Sequence, residues 1–121
     1  MFKIIPVLKD DLDKVKTYLD TDTKGMILAC YEEEGITGAA SFDIDGGTGF
    51  FEDMKTDKPE MENVMGKAVL NFLEIHGILD VYAQTGTKDE YFKSLGFKPA
   101  DEIKEGWGLY LNLEGYFAHQ H

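Results

Sequence analysis

Halfway along the chain the hydrophobic periodicity changes, and this change limits the folds that the chain can adopt. From residue 61 onward, apolar side chains recur at spacings of three and four, which places them on one face of an amphipathic helix. Gly77 follows as a stop signal, and residues 78–83 (ILDVYA) predict a compact strand. One helix therefore connects two strands. The predicted helical face consists of Met61, Val64, Met65, Ala68, Val69, Phe72, Leu73 and His76.

Upstream of that helix the sequence is typical of antiparallel strands. Three β-prone runs, at residues 26–33, 36–44 and 48–55, are separated by Glu34-Gly35 and by Asp45-Gly46-Gly47. An acidic residue followed by glycine between such runs is a strong hairpin signal. We therefore expect a three-stranded meander in the middle of the chain.

The remaining segments complete a mixed α/β pattern. A strand at residues 2–8 precedes a first helix, a short helix covers residues 87–95, and alternating leucines at residues 109–113 predict a last strand. The predicted order is βαβββαβαββ, with antiparallel strands in front and a helix crossover into the fifth strand. The chain has 121 residues, 43% of them hydrophobic, and no linker-like stretch, so residues 1–121 form one predicted domain.

Composition excludes several classes of protein. The formal net charge is −11 and all twelve basic residues are lysines, a surface that repels phosphates, so nucleic acid is not an expected partner. Such a surface favours a cationic ligand such as an amine, although it also simply keeps a protein soluble. No apolar run reaches the roughly 18 to 20 residues of a membrane span, and no signal peptide is recognisable. Cys30 stands alone, which fits a reducing compartment, so we expect a cytoplasmic protein without membrane attachment.

The start of the long helix is a candidate phosphate site. Free amides in the first turn of a helix, together with the helix dipole, attract anions, and Gly66 and Ala68 remove side-chain bulk there. The alternative is a helix that begins at Pro59, in which the amides near Gly66 are bonded inside the helix. Local positive charge comes from three lysines, Lys55, Lys58 and Lys67.

Three stretches resemble the GNAT superfamily of acyltransferases, and the resemblance covers nearly the whole chain. Asn63-x-x-Gly66-x-Ala68 resembles the family's cofactor motif, Gln/Arg-x-x-Gly-x-Gly/Ala. The hairpin ACYEEEGITGAASF resembles its second and third strands, and residues 91–97 (YFKSLGF) resemble its Phe-Tyr-x-x-Leu-Gly-Phe. The three matches occur in the family's order, which indicates a small, divergent GNAT-like domain.

The resemblance implies that acetyl-CoA binds where the fourth and fifth strands separate and that its acetyl group passes directly to an amine. The diphosphate is expected on the backbone of residues 64–68, and the pantetheine along the edge of the fourth strand. A backbone N–H polarises the thioester carbonyl. The residues implied in cofactor binding are Met54, Lys55, Thr56, Asn63, Val64, Met65, Gly66, Lys67, Ala68, Thr85 and Phe92.

Two residues are the candidate base and acid. GNAT enzymes often place a carboxylate on the fourth strand, which makes Glu52 the preferred base; Asp53 follows it and, in a regular strand, points to the opposite face. The tyrosine that commonly protonates the thiolate in this family falls at Phe92. Tyr91 is therefore the candidate acid, displaced by one residue and about 100° of helix rotation.

The departures from the family's pattern keep alternatives open. Because Asn63 and Phe92 depart from the family's pattern, one alternative is a protein that binds CoA or acyl-CoA without turnover. The acidic surface favours another alternative, an interaction module that docks a basic partner. The short region between the first two strands leaves the acceptor cleft either open or completed by a second subunit, as in a homodimer. No metal site is expected, because His119 and His121 at the terminus lack a third ligand.

Overall fold

Within residues 1–119, which a computed structural model of the protein describes, seven strands and three α-helices follow one another in the predicted order. Short 3-10 turns at Lys9–Asp11 and Pro59–Met61 lead directly into the first and second helices. A third such turn covers Phe117–His119. The elements are β1 (Lys3–Pro6), α1 (Leu12–Leu19), β2 (Met26–Glu32), β3 (Gly35–Asp45), β4 (Thr48–Thr56), α2 (Glu62–Ile75), β5 (Asp80–Ala83), α3 (Asp89–Leu95), β6 (Lys98–Pro99) and β7 (Leu109–Asn112).

All the strands form one mixed sheet in the order β1-β2-β3-β4-β5-β7-β6. The first four strands are the predicted antiparallel front. The tight turns depend on glycine, because Gly35 has φ 115° and Gly46 has φ 59°, a region that residues with a Cβ rarely adopt. β4 and β5 run parallel, which requires a long crossover, and α2 provides it.

The helices cover both faces of the sheet. α1 places Val15 and Leu19 against the small residues Ala29 and Ala39. α2 lies on the opposite face and buries Met65, Val69, Leu70 and Leu73 completely. The buried face differs from the predicted one, since Leu70 belongs to it while Val64 and His76 are exposed. The reason is that α3 also packs on α2, which shifts the buried stripe around the helix.

None of the helices in the described part of the chain is long and apolar enough to cross a membrane.

Candidate active site

The two parallel strands separate, as expected. β4 pairs with β5 only from Thr48 opposite Asp80 to Phe51 opposite Ala83. β4 then continues to Thr56, still paired with β3, while β5 ends at Ala83. The backbone edge of residues 52–56 that faces away from β3 therefore has no partner strand. An extended ligand that carries amide groups could pair with such an edge as an added strand does.

A β-bulge lies where the strands separate. Ser41 of β3 is opposite Asp53, but the next residue, Phe42, is opposite Phe51, so Glu52 is an extra residue in β4. Bulges redirect side chains and are common beside active sites. As a result Glu52 and Asp53 both line one cleft. The expectation that they point to opposite faces is wrong, because it assumed a regular strand.

The bulge forms one wall of a polar cleft of about 420 Å³ at the carboxyl ends of β4 and β5. In open sheets that contain parallel strands, ligands bind at this end. We call it the β4–β5 cleft. It is lined by Asp20, Thr21, Asp22 and Thr23 between α1 and β2, by Glu52 and Asp53, by Gln84, Thr85, Gly86, Thr87 and Lys88 after β5, and by Phe92 of α3.

The two carboxylates at the bulge have different partners. Glu52 accepts a hydrogen bond from the hydroxyl of Thr23, with 2.5 Å between Oγ1 and Oε1. The Gly25 amide donates to the same Thr23 oxygen at 3.0 Å, which directs the hydroxyl proton toward Glu52. Asp53 instead lies 3.6 Å from Lys88 Nζ and accepts from the Met54 amide. Glu52 therefore has a neutral donor as its partner, whereas Asp53 lies beside a cation.

The head of α2 differs from the predicted phosphate site. The chain is already helical from Pro59, where a proline favours the first helical position. Met65 is the first residue whose amide bonds to the carbonyl one α-helical turn earlier, so the amides of residues 65–68 are used inside the helix. Within the predicted motif at residues 63–68, only Asn63 and Val64 precede Met65. The expectation of free amides is therefore wrong for residues 65–68.

Gly66 contacts protein where space for a diphosphate was expected. A Cβ placed on Gly66 would lie 2.3 Å from the Tyr91 hydroxyl oxygen and 2.6 Å from Leu95 Cδ1. Both atoms belong to α3. The missing side chain therefore allows α3 to pack closely on α2.

The upstream lysines are also engaged elsewhere. Lys58 Nζ forms ion pairs with Glu32 and, at 3.4 Å, with Glu34. Lys55 Nζ donates to the Tyr18 carbonyl at 3.2 Å and lies 4.6 Å from the centroid of the Tyr18 ring. Neither ammonium group is directed to the head of α2, contrary to the sequence-based expectation. Lys67 is half-buried on α2.

Tyr91 and Phe92 occupy different environments. Phe92 is buried, lines the cleft and packs edge-on against Phe51. The Tyr91 hydroxyl donates to the Glu62 carbonyl at 2.9 Å, at the head of α2. Burial, with the nearby Glu62 charge, raises the pKa of Tyr91 above its ordinary value. The hydroxyl thus lies outside the residues that line the cleft, which argues against the predicted acid role.

The other predicted residues contribute in different ways. Met54 is 3% exposed and packs in the core, and its amide at the β4 edge already donates to Asp53 Oδ1. The Thr56 hydroxyl donates to the Thr37 carbonyl and accepts from the Lys58 amide, which uses it within the turn after β4. Thr85 lines the cleft and its hydroxyl donates to the Gly106 carbonyl, while its predicted role in cofactor binding stays a prediction.

Sequence reasoning missed Thr23 and Lys88. Thr23 is 29 residues from Glu52 and stood out only as part of a polar turn, Asp20-Thr21-Asp22-Thr23. No local signal connects that turn to the fourth strand. Among residues 1–119, no group of three or more His, Cys, Asp or Glu side chains is arranged to hold a metal ion. His121 lies outside the described residues.

Comparison with solved structures identifies the fold. The ribosomal-protein-S18-alanine N-acetyltransferase from Escherichia coli has a similar structure, with TM-score 0.65 and 13% identity. The match covers 92% of this chain and 90% of the Escherichia coli chain. An acetyltransferase assigned to the GNAT family from Desulfovibrio desulfuricans matches 93% and 99%, with TM-score 0.70 and 13% identity. N-acetylglutamate synthase from Neisseria gonorrhoeae, solved with coenzyme A and N-acetylglutamate, matches 88% of this chain but 30% of its own, with TM-score 0.74 and 11% identity.

No protein-family model matches the sequence, and a search of curated protein sequences finds no match. The structural matches extend over nearly the whole chain. The chain therefore has the fold of the GNAT N-acetyltransferases, and the predicted fold class is confirmed.

Proposed function

We propose that this protein, which has the GNAT fold, is an N-acetyltransferase that transfers an acetyl group from acetyl-CoA to a cationic primary amine. The observation that carries the proposal is the free backbone edge of residues 52–56, which opens directly into the acidic β4–β5 cleft. The pantetheine arm of acetyl-CoA can pair with this edge, and the carboxylates of Glu52 and Asp53 can bind an ammonium group. N-acetylglutamate synthase, a protein of the same fold, was solved with coenzyme A.

The two halves of acetyl-CoA differ in how well the residues present fit them. The pantetheine half is a chain with amide groups, and the unpaired edge of β4 fits it. The diphosphate does not fit the predicted cradle, because Tyr91 and Leu95 fill the space beside Gly66. Of the predicted motif, only Asn63 and Val64 precede the first residue of α2 whose amide bonds one α-helical turn back.

The protein's own residues accept one proton and polarise one carbonyl group. When bound, the thioester supplies an activated carbonyl carbon. Glu52 takes one proton from the ammonium group of the acceptor and passes it to solvent. The nitrogen loses a second proton as the new carbon–nitrogen bond forms and the carbon–sulfur bond breaks. Because Phe92 has no proton to donate, water carries this second proton to the leaving thiolate, which becomes the thiol of CoA. A backbone amide of the β4 edge polarises the carbonyl, and it is not that of Met54, which donates to Asp53.

Thiol release measured with a panel of mono-, di- and polyamines tests the proposal. We expect acetyl-CoA to raise the melting temperature, because a ligand specific for the native state stabilises it, and at least one cationic amine to release thiol. Glu52→Gln should lower kcat by about 100-fold or more while the melting shift with acetyl-CoA is kept. Glu114→Gln, an exposed carboxylate beyond β7, is the matched control. No melting shift at millimolar acetyl-CoA would contradict the proposal.

A second function, binding of CoA or acyl-CoA without turnover, is favoured by Phe92 in the cleft and by the Tyr91 hydroxyl bonded to Glu62. It predicts a melting shift with acetyl-CoA and no thiol release with any amine. Glu52→Gln should then leave the melting shift with acetyl-CoA unchanged.

A further inference from the structure

We infer that this chain recognises its donor through the pantetheine arm and the acyl group, and that the nucleotide half of coenzyme A adds little to binding. The inference rests on the proposed function and deepens it by naming the donor class: S-acyl thioesters of pantetheine, of which acetyl-CoA is one member.

The first step concerns space at the head of α2. A diphosphate that sits on a helix needs unbonded amides and a backbone it can approach closely. The amides of residues 65–68 are bonded inside the helix, and the surface beside Gly66 is covered by Tyr91 and Leu95. Leu95 is 2% exposed and the Tyr91 hydroxyl is held by the Glu62 carbonyl, so neither side chain is free to withdraw.

The second step concerns charge at the same place. Glu60 lies in the 3-10 turn and Glu62 in the first turn of α2, so the protein's own carboxylates already complement the positive end of the helix dipole. Lys58, the nearest lysine upstream, is paired with Glu32 and Glu34. A diphosphate brought here meets like charges, and the net charge of −11 repels a polyanion from the molecule as a whole.

The third step concerns what remains attractive. The β4 edge at residues 52–56 has no partner strand, although its Met54 amide donates to Asp53, and it leads to the cleft where Thr23 positions Glu52. Hydrogen bonds to that edge need only the amide groups of the pantetheine arm, which carry no charge. The recognition that the structure offers is therefore concentrated on the uncharged half of the donor.

Calorimetric titration with three ligands tests this inference. CoA, pantetheine and 3′-phosphoadenosine 5′-diphosphate represent the whole donor, its arm and its nucleotide half. We expect the Kd of pantetheine to lie within about threefold of that of CoA, a difference below about 0.7 kcal/mol, and 3′-phosphoadenosine 5′-diphosphate to give no heat at millimolar concentration. CoA that binds more than about 30-fold tighter than pantetheine, or a nucleotide half that binds as CoA does, would overturn the inference and leave the proposed function standing. If none of the three binds, both fail.

Two variants sharpen the result with binding as the readout. Lys58→Ala should leave the Kd of CoA unchanged, because that ammonium group is occupied by Glu32 and Glu34. The double variant Glu60→Gln, Glu62→Gln should tighten CoA by several-fold and leave pantetheine unchanged, because it removes two charges that oppose a diphosphate. The same pair of changes at the exposed Glu105 and Glu114 is the control for net charge. A tenfold loss of CoA affinity in Lys58→Ala contradicts the inference.

Discussion

Gly66 packs against Tyr91 and Leu95, so its missing side chain is a requirement of the contact between α2 and α3. In an exposed helix, replacing glycine by alanine stabilises by about 1 kcal/mol. Here the added methyl group enters a filled space, and overpacking costs about 1 to 3 kcal/mol. We therefore expect Gly66→Ala to lower the free energy of unfolding by about 1 kcal/mol or more in urea titrations, the reverse of the propensity effect.

The Gly66 prediction has two controls. Asn71→Ala adds an alanine to an exposed position of the same helix and should not destabilise. Tyr91→Phe removes the oxygen nearest the new methyl group, so the double variant should lose less stability than the sum of the two single variants. A stabilised Gly66→Ala would mean that the contact between α2 and α3 is looser than described.

Tyr91 predicts how stability depends on alkaline pH. Its pKa is raised by burial, so the folded state holds the hydroxyl proton to a higher pH than the unfolded chain, where tyrosine titrates near about 10. The stabilisation is fully present below about pH 10 and is lost as pH rises through the raised pKa. Tyr91→Phe should flatten the fall in unfolding free energy between about pH 10 and 11. Tyr18, whose pKa is also raised by burial and by Asp57, leaves a residual slope. An unchanged slope in urea titrations would contradict this assignment.

At the scale of elements, one hydroxyl joins the loop after α1 to the bulge of β4. Thr23 donates to Glu52 and accepts from the Gly25 amide, and it is almost fully buried. Thr23→Val keeps the shape but leaves the partly buried Gly25 amide and the Glu52 carboxylate without this partner, so we expect a loss of about 1 kcal/mol in unfolding free energy. If the proposed function holds, kcat should also fall about tenfold with little change in KM, because Glu52 loses its orientation.

Thr23→Ser distinguishes the effect of the Thr23 hydroxyl on Glu52 from the effect of its methyl group on packing. It retains the hydroxyl and should keep kcat close to that of the wild type, although it loses a methyl group. Equal kcat in Thr23→Val and wild type would remove Thr23 as a positioning residue, whatever the stability of the variant.

At the scale of the whole molecule, the net charge of −11 acts oppositely on the two proposed substrates. The field attracts a cationic amine and repels the polyanionic CoA, and added salt screens both effects. Raising ionic strength from about 20 mM to about 300 mM should therefore lower kcat/KM for a diamine several-fold while CoA binds as well or better. Steady-state thiol release and calorimetry measure the two trends, and trends of equal sign would contradict this account.

The sequence alone determined the order of elements, the antiparallel front and the crossover by α2. These depend on local patterns: the period of apolar residues, and glycines such as Gly35 and Gly46 where the turns need positive φ. The family resemblance, rather than local information, selected Glu52, Thr85 and Phe92. All three line the cleft, and their roles stay predictions.

Tertiary structure decided how each of those residues is used. The glycine of the cofactor-like motif could not be distinguished from a packing glycine until α3 was placed on α2, since its neighbours Tyr91 and Leu95 come from a later helix. The shared orientation of Glu52 and Asp53 depends on a bulge set by pairing with β3. Thr23 reaches Glu52 across 29 residues of sequence. Periodicity and turn signals report the conformation of a segment, whereas a site is made by contacts between segments, and such contacts exist only once the chain has folded.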